Sequence, residues 1–314
     1  MLKYLVILLD DTSTPYCHYA NVEEAKQMPI ETLRKGILFA MKQNLRIQYI
    51  LPKTDMPQEY IKQINSMFHD IIGPIEQADV SDVVIIEGLD KLVEFEKVLE
   101  VQKRYVVRTT IQDFFDKHDI LKKAFAQSIS INVVFKDVEA FKDNLIEKYQ
   151  AILHDLALYV KDLILSGHNI NTNLLTDRIA LIEMNNCGAG DSVITLAPDG
   201  KFYPCPAFYY DKTPYYEIGD IDSGLNIKNQ NLYTLKRSPL CSRCDAYHCK
   251  RCVWLNKKLT CEVNIPSRQQ CVISHIERNA SKDLLDEFHQ LDVLKEKTIE
   301  QINYLDPFDE YKAV

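Results

Sequence analysis

The chain lacks the features that mark membrane and secreted proteins. No stretch of its 314 residues approaches the run of about 18–20 apolar residues that a membrane span needs. The opening MLKYLVILLDD holds a short apolar run followed by two acids, which is too short for a secretory signal and lacks a small-residue cleavage site. We therefore expect a cytoplasmic protein that has no membrane partner.

The chain also lacks an excess of positive charge and the common nucleotide and hydrolase motifs. Lys and Arg number 37 against 45 Asp and Glu, which gives a net charge of −8 and argues against a nucleic-acid partner. There is no P-loop and no G-x-S-x-G elbow, and the GAG at 188–190 is too short for a dinucleotide fingerprint. The hydrophobic content of 46% is that of a globular protein.

The cysteines are distributed along the chain in an unusual pattern. Eight of its nine cysteines lie between 187 and 271, and the middle four form C-x2-C-x4-C-x2-C inside PLCSRCDAYHCKRC. In a reducing compartment, clustered cysteines are more often metal ligands than disulfides. Four thiolates satisfy one zinc ion or one iron–sulfur cluster, so eight predict two sites of either kind. The eight candidate ligands are Cys187, Cys205, Cys241, Cys244, Cys249, Cys252, Cys261 and Cys271.

The first 184 residues predict an α/β domain, because apolar strands alternate with amphipathic helices. Such alternation implies a parallel sheet with crossover helices, as an open sheet or a partial barrel. The predicted strands are 3–9, 46–51, 82–88, 104–110, 128–135 and 178–183. The predicted helices are 30–43, 57–72, 91–101, 111–125 and most of 137–165.

The character of the sequence changes after Cys187. SVITLAPDGKFYPC (192–205) predicts a hairpin around Pro-Asp-Gly, and the following stretch to 275 is rich in loops, Tyr and Cys. Metal sites would supply the stability that this segment's small apolar core does not. We expect a cysteine-cluster domain over 185–280 and an amphipathic C-terminal helix and tail over 281–314, with the helix itself at 281–305.

The cysteine pattern resembles the SPASM domain, the C-terminal extension of many radical S-adenosylmethionine (AdoMet) enzymes that act on ribosomally made peptides. Cys187 is followed by twelve residues, Gly200, four residues and Cys205, and then by IGDI (218–221) and the close group of four cysteines. The resemblance covers 187–275. It departs from the family's usual C-x2-C-x5-C-x3-C, because each of the last two gaps is one residue shorter here.

The resemblance implies two auxiliary [4Fe–4S] clusters, with zinc as the alternative that the residues leave open. One cluster would use Cys187, Cys205 and Cys252, which Cys261 could complete, and the other Cys241, Cys244, Cys249 and Cys271. The choice between Cys261 and Cys271 as the last ligand stays open. His248 and His275 are near enough in sequence to replace a thiolate.

The N-terminal loop is similar to that of a radical AdoMet enzyme from which the cluster motif has been lost. In the family, C-x3-C-x2-C follows the first strand, whereas here only Cys17 matches the third cysteine and Thr14 and Asp10 stand at the other two positions. ILPKTDMP replaces the AdoMet-binding segment after the second strand. Cys17 is the candidate catalytic residue, either a reactive thiol at the barrel mouth or a buried structural cysteine. Asp10 and Asp11 lie at the carboxyl end of the sheet, where ligands bind.

This combination resembles the CXXX-repeat peptide maturase family, on the text TPYCHY after the first strand and the SPASM-like end. The resemblance implies a degenerate partial (β/α) barrel of radical AdoMet type over 1–184 and a role in maturing a ribosomally synthesised, Cys-rich precursor peptide. The chain would act as the maturase or would present the peptide to an active radical AdoMet enzyme, and AdoMet itself is not expected as a cofactor. The alternative function is a structural zinc-binding interaction module without a redox role.

Overall fold

A mostly parallel sheet of eight strands forms the framework of the protein. The structure is a computed structural model that describes residues 2–22, 24–94, 99–212 and 214–300. Its strands are β1 (Tyr4–Leu8), β2 (Arg46–Ile50), β3 (His69–Pro74), β4 (Val83–Glu87), β5 (Arg104–Thr109), β6 (Ile131–Phe135), β7 (Val193–Leu196) and β8 (Phe202–Tyr203), with a separate pair β9 (Gly219–Asp220) and β10 (Gly224–Leu225). The order in the large sheet is β6-β5-β4-β3-β2-β1-β7-β8.

The first strand pairs in parallel on both of its edges. Leu5 lies opposite Ile47 of β2 and Ile194 of β7, while β8 runs antiparallel to β7. Leu5 to Leu8 are all buried, as expected for a parallel strand that is covered on both faces. These features confirm the predicted α/β class with a parallel sheet.

Ten α-helices occur in the described part of the chain. They are α1 (Ile30–Gln43), α2 (Gln58–Ile64), α3 (Leu89–Glu94), α4 (Ile111–Lys117), α5 (Ile120–Gln127), α6 (Ile146–Leu165), α7 (Asp177–Ala180), α8 (Pro206–Tyr210), α9 (Val253–Thr260) and α10 (Arg268–Gln290). α1 has the predicted bounds, buries Leu33, Ile37 and Ala40, and ends where Asn44 adopts the left-handed conformation. None of the helices in the described part of the chain combines the length and apolarity of a membrane span.

The chain divides into two compact units. The first comprises Met1–Ile85 and Cys187–Ser238, and the second comprises Ile86–Asn186 and the residues from Pro239 onward. The core of the first unit centres on β1, β2, α1 and the β7–β8 hairpin. The core of the second contains an aromatic cluster in which Phe114, Phe135 and Phe141 surround Tyr149 with ring centroids 5.7–6.0 Å away. Each unit thus combines part of the predicted barrel with part of the predicted cysteine segment.

Two predicted elements were wrong in type. The last four residues of the predicted helix 57–72 belong to strand β3, because this short apolar run pairs with β2 and β4 after a turn at Asn65–Ser66. Periodicity alone does not separate such a short run from a helix. The predicted strand 178–183 begins as helix α7, and its Arg178 is buried instead of alternating outward.

Other differences concern the ends of elements. The predicted helix 111–125 is broken at His118 into α4 and α5, and the regular helix predicted over 137–165 begins at Ile146. α3 ends at Glu94, and the middle of the predicted helix 91–101 lies outside the described residues. The last helix begins at Arg268 and ends at Gln290, whereas 301–305 lie outside the described residues. The predicted hairpin is confirmed by β7 and β8.

Candidate metal centres

The second unit holds a cysteine loop, which we define as Cys241–Cys252. Cys241 is buried at the start of a 3-10 turn, and Cys244 and Cys249 are half-buried. The backbone N–H of Ala246 donates to Cys244 Sγ (3.4 Å), and that of Arg251 donates to Cys249 Sγ (3.5 Å). Amide donors directed at sulfur stabilise thiolates, and hydrogen bonds to the sulfurs are one means by which proteins tune iron–sulfur clusters.

One face of α10 packs against this loop. His275 Nε2 lies 3.3 Å from Cys244 Sγ, and the Ser274 hydroxyl hydrogen-bonds with Cys249. Cys271 stands one helical turn before His275 and therefore shares its face of the helix. The four cysteines that the SPASM resemblance groups in one cluster thus belong to one loop and one helix face.

A buried polar chain supports the loop from behind. Tyr149 Oη donates to Glu277 Oε1 (2.7 Å), and His248 Nε2 lies 3.1 Å from Glu277 Oε2. All three residues are buried. Burial and the neighbouring Glu277 raise the pKa of Tyr149 well above its usual value, so the phenol keeps the proton that it donates. These hydrogen bonds fix His248, the residue before Cys249 in the loop. No pattern in the sequence indicated that His248 pairs with Glu277.

Arg178 holds the same loop through its backbone. Its Nε donates to the carbonyl oxygen of Asp245 (2.5 Å), and its guanidinium lies 4.3 Å from the centre of the Tyr247 ring. The Asp245 carboxylate in turn accepts a hydrogen bond from Arg278 Nη1 (2.7 Å). Burial lowers the pKa of Arg178, and Asp245 opposes this effect. A buried cation beside thiolates favours their charged form.

The remaining cysteines of the second unit lie at opposite ends of α9. Cys252 is buried at the N-cap, where its Sγ accepts from the N–H of Leu255 (3.4 Å). Cys261 is exposed at the other end in the left-handed conformation, with φ 65°. A rise of about 1.5 Å per residue separates the two by roughly 13 Å along the helix. One metal ion with thiolates at about 2.3 Å does not span that distance.

The first unit holds the other three cysteines. Cys187 precedes β7, Cys205 is the N-cap of α8, and Cys17 lies in the loop after β1. Gly200 adopts φ 82° in the turn between β7 and β8, a left-handed conformation that glycine adopts without strain. Burial raises the pKa of the Cys205 thiol, and the neighbouring Cys187 and Cys17 thiols raise it further. Cys187 and Cys17 therefore lie close enough to Cys205 to interact with it electrostatically.

The loop that carries Cys17 is tied down on both sides. The Asp10 carboxylate accepts from the N–H (2.7 Å) and hydroxyl of Thr12, and the Thr14 hydroxyl donates to the carbonyl of Leu51 (3.0 Å). Burial raises the pKa of Asp10. Asp10 and Thr14 are thus both engaged within the fold, whereas Asp11 accepts a hydrogen bond from Tyr209 Oη (2.6 Å) on α8.

The donor sets suit a soft metal. All nine cysteines lie in the described part of the chain, and each carries a thiol and not a disulfide. Burial raises the pKa of Cys249 to about 12, and a metal that binds a cysteine does so with loss of the thiol proton. Four thiolates suit an iron–sulfur cluster, and three thiolates with His275 suit zinc equally well.

Comparisons with known proteins identify the fold. No protein-family model matches the chain, and no curated protein matches it. Among solved structures, native anSMEcpe with bound AdoMet and Cp18Cys peptide is 13% identical, with a TM-score of 0.57 over 92% of this chain and 100% of the other. Native anSMEcpe with bound AdoMet is 14% identical, with a TM-score of 0.53 over 91% of this chain and 100% of the other. At this identity the likeness establishes a shared fold.

Proposed function

We propose that this chain is a radical-AdoMet-like, SPASM-type protein that binds iron–sulfur clusters and takes part in maturing a ribosomally synthesised, Cys-rich peptide. The observation that carries the proposal is the meeting of the cysteine loop with the α10 face of Cys271 and His275. The shared fold with anSMEcpe, which was solved with bound AdoMet and a peptide, supports the same proposal.

In the second unit the cluster would be held by Cys241, Cys244, Cys249 and Cys271. The amide donors to Cys244 and Cys249 and the position of Cys271 beside His275 support this set. A cluster bound there would supply redox chemistry. The chain's own residues orient the thiolates and exclude water through the buried groups behind the loop.

In the first unit we assign Cys17 to a second metal-binding set together with Cys187 and Cys205. The Tyr19 ring stacks on Tyr210 at 5.4 Å, and this contact holds the loop of Cys17 against the helix that begins after Cys205. In this interpretation Cys17 is a metal ligand and not a separate reactive thiol. The implied assignment of Cys252 to this set stays a prediction.

AdoMet needs a direct test. Both anSMEcpe structures hold AdoMet, and this counts against our expectation that AdoMet is not a cofactor here. Residues 10, 14 and 17 offer one thiolate and two oxygen-bearing side chains, so a three-thiolate cluster does not form there. Calorimetric titration of AdoMet into the anaerobically purified protein tests whether AdoMet binds. Heat of binding at one site per chain would establish AdoMet as a cofactor.

The partner that we propose is a precursor peptide. The peptide bound to anSMEcpe supports this class of partner. The comparisons give no support for an active radical AdoMet enzyme as a second partner, so the proposal does not include one. Co-expression with a Cys-repeat peptide encoded beside its gene should yield a peptide of altered mass when the chain is present.

Metal analysis tests the proposal directly. Anaerobic purification should give a brown protein with iron and acid-labile sulfide in equal amounts and a low-temperature electron paramagnetic resonance signal after reduction. A colourless protein that contains zinc and no sulfide would refute it. That result would favour the second candidate, a structural zinc module, for which the approach of His275 Nε2 to Cys244 Sγ is the specific support.

A further inference from the structure

The first unit contains a cavity of about 670 Å³ whose lining is both acidic and aromatic. It lies between the loop after β1, which contributes Asp11 and Glu24, and the segment around α8, which contributes Tyr209 and Tyr210. Its size falls within the range of about 300–1,000 Å³ that is usual for binding sites. Nothing in the cysteine chemistry described above uses this cavity.

The charge of the lining has one dominant sign. Asp11, Glu24, Asp199 and Glu217 face the cavity, and among the described residues that line it Lys212 is the one cation. A backbone hydrogen bond and Lys201, 3.3 Å from Glu217, lower the pKa of that carboxyl, which therefore stays charged at neutral pH. The cavity thus presents several carboxylates to whatever enters it.

The tyrosines supply donors and ring faces to the same space. Tyr209 Oη donates to Asp11 (2.6 Å), and Tyr203 Oη donates to Asp199 (2.8 Å). Burial raises the pKa of Tyr209 and Tyr210 far above the usual value, so these phenols stay neutral. A carboxylate that accepts one phenol retains further lone pairs for a cation, and the ring faces attract cations as well.

We propose that this cavity binds a Lys or Arg side chain of the substrate peptide. Charge complementarity selects a cation, and charge-assisted hydrogen bonds to the carboxylates would hold it. The site lies near Cys205, because Tyr209 and Tyr210 belong to the helix that Cys205 caps. A peptide anchored here would have its neighbouring residues beside Cys17 and Cys205. This inference rests on the proposed peptide function and adds the chemistry of the anchor.

A matched pair of peptides tests the proposal. The first probe is a fluorescein-labelled ten-residue peptide of Gly, Ala and one Cys that carries two Arg, and the second has Gln in place of each Arg. Fluorescence anisotropy with the purified holoprotein should show the Arg peptide binding about tenfold more tightly, and the difference should shrink at high salt. Equal binding of the two peptides would overturn the proposal.

Variants of the protein locate the binding. Glu24→Gln combined with Asp199→Asn should weaken the Arg peptide by about fivefold or more and leave the Gln peptide unchanged. Asp55→Asn removes an exposed carboxylate that is not among the cavity's lining residues and is the matched control. An equal loss in the control would overturn the site. Spermidine competing as tightly as the Arg peptide would overturn the assignment to a peptide in favour of a free amine.

The metal content of each preparation separates this proposal from the function on which it rests. A protein that holds zinc and no iron but prefers the Arg peptide would refute the cluster function and keep the cavity assignment. A protein that holds its clusters and shows no preference would refute the cavity assignment alone.

Discussion

The two groups of cysteines differ in what surrounds them. In the second unit the cysteine loop is fixed by buried groups from several elements, including Arg178, Glu277 and His275. In the first unit the helix that Cys205 caps lines an acidic cavity through Tyr209 and Tyr210, and Cys187 is exposed. Rigid enclosure suits a centre that holds structure or stores an electron, whereas an adjacent cavity suits a centre that meets a ligand. The two groups of cysteines thus lie in two different structural settings.

The largest expected effect comes from removing thiolates. Cys244→Ser should remove about half of the bound iron, and Cys205→Ser should remove the other half, since each belongs to one of two proposed sets. Iron and sulfide analysis and the visible absorption spectrum measure both losses. Cys261→Ser is the matched control, because Cys261 is exposed at the end of α9, and it should keep all of the iron. Loss of all iron in either single variant would show that the sets are not separate.

A second prediction concerns the anchor of the cysteine loop. Arg178→Met keeps much of the side-chain volume and removes the donor to the Asp245 carbonyl. It should destabilise the fold by about 1.5–3 kcal/mol, the usual contribution of a hydrogen bond that involves a charged group. Urea unfolding of the metal-free protein measures this.

The position of the effect is as informative as its size. Arg178→Met should also speed the loss of iron from the second unit to a chelator. When it is combined with Cys244→Ser, which removes that unit's iron, the remaining absorption spectrum should not change. An unchanged chelation rate would mean that Arg178 does not hold the loop.

A third prediction compares two glutamates on α10. Glu277→Gln replaces an acceptor of two buried hydrogen bonds and should cost about 1–3 kcal/mol of unfolding free energy. Glu287→Gln breaks a partly exposed pair with Lys161 and should cost at most about 1 kcal/mol. Thermal unfolding of both variants measures the difference. Equal costs would argue against a structural role of the chain through His248.

The smallest effect should be a gain in stability. Cys261 adopts φ 65°, which costs a residue other than glycine roughly 1 kcal/mol. Cys261→Gly should therefore stabilise the protein by about that amount and leave the iron content unchanged, while Cys261→Ser should give no gain. Iron lost from Cys261→Gly would place Cys261 among the ligands.

Much of the fold could be predicted because each strand and helix has a local pattern of its own. α1 was predicted to the residue, and β1, β2, β4, β5 and β6 were placed within a few residues, since apolar runs and helical periods are local properties. β3 was missed because its pairing with β2 and β4 outweighs a helical spacing that continues into Ile71. Arg178 was misplaced because a buried arginine is acceptable only with partners that are distant in sequence, here Asp245 and Tyr247.

The candidate sites were likewise predictable only in their local features. The cysteines were found from their spacing, which is what a metal needs from one loop. The different hydrogen-bond partners of Asp10 and Asp11 were not predictable. Asp10 accepts from Thr12, two residues away, whereas Asp11 accepts from Tyr209, 198 residues away. The tyrosines of 203–210 were seen in the sequence as a crowded group, but their side chains acquire a cavity only when the loop after β1 lies opposite.

The sequence by itself determined the α/β class, the spacing of the eight clustered cysteines and the presence of Cys17 in the loop after β1. These depend on residue type and on short spacings, which a chain carries before it folds. The tertiary structure decided that the cysteines fall into two groups, that Cys271 shares a helix face with His275, and that Asp11 opens onto an acidic cavity. Those facts depend on packing between segments far apart in the chain, and local sequence does not encode which distant partner a side chain will meet.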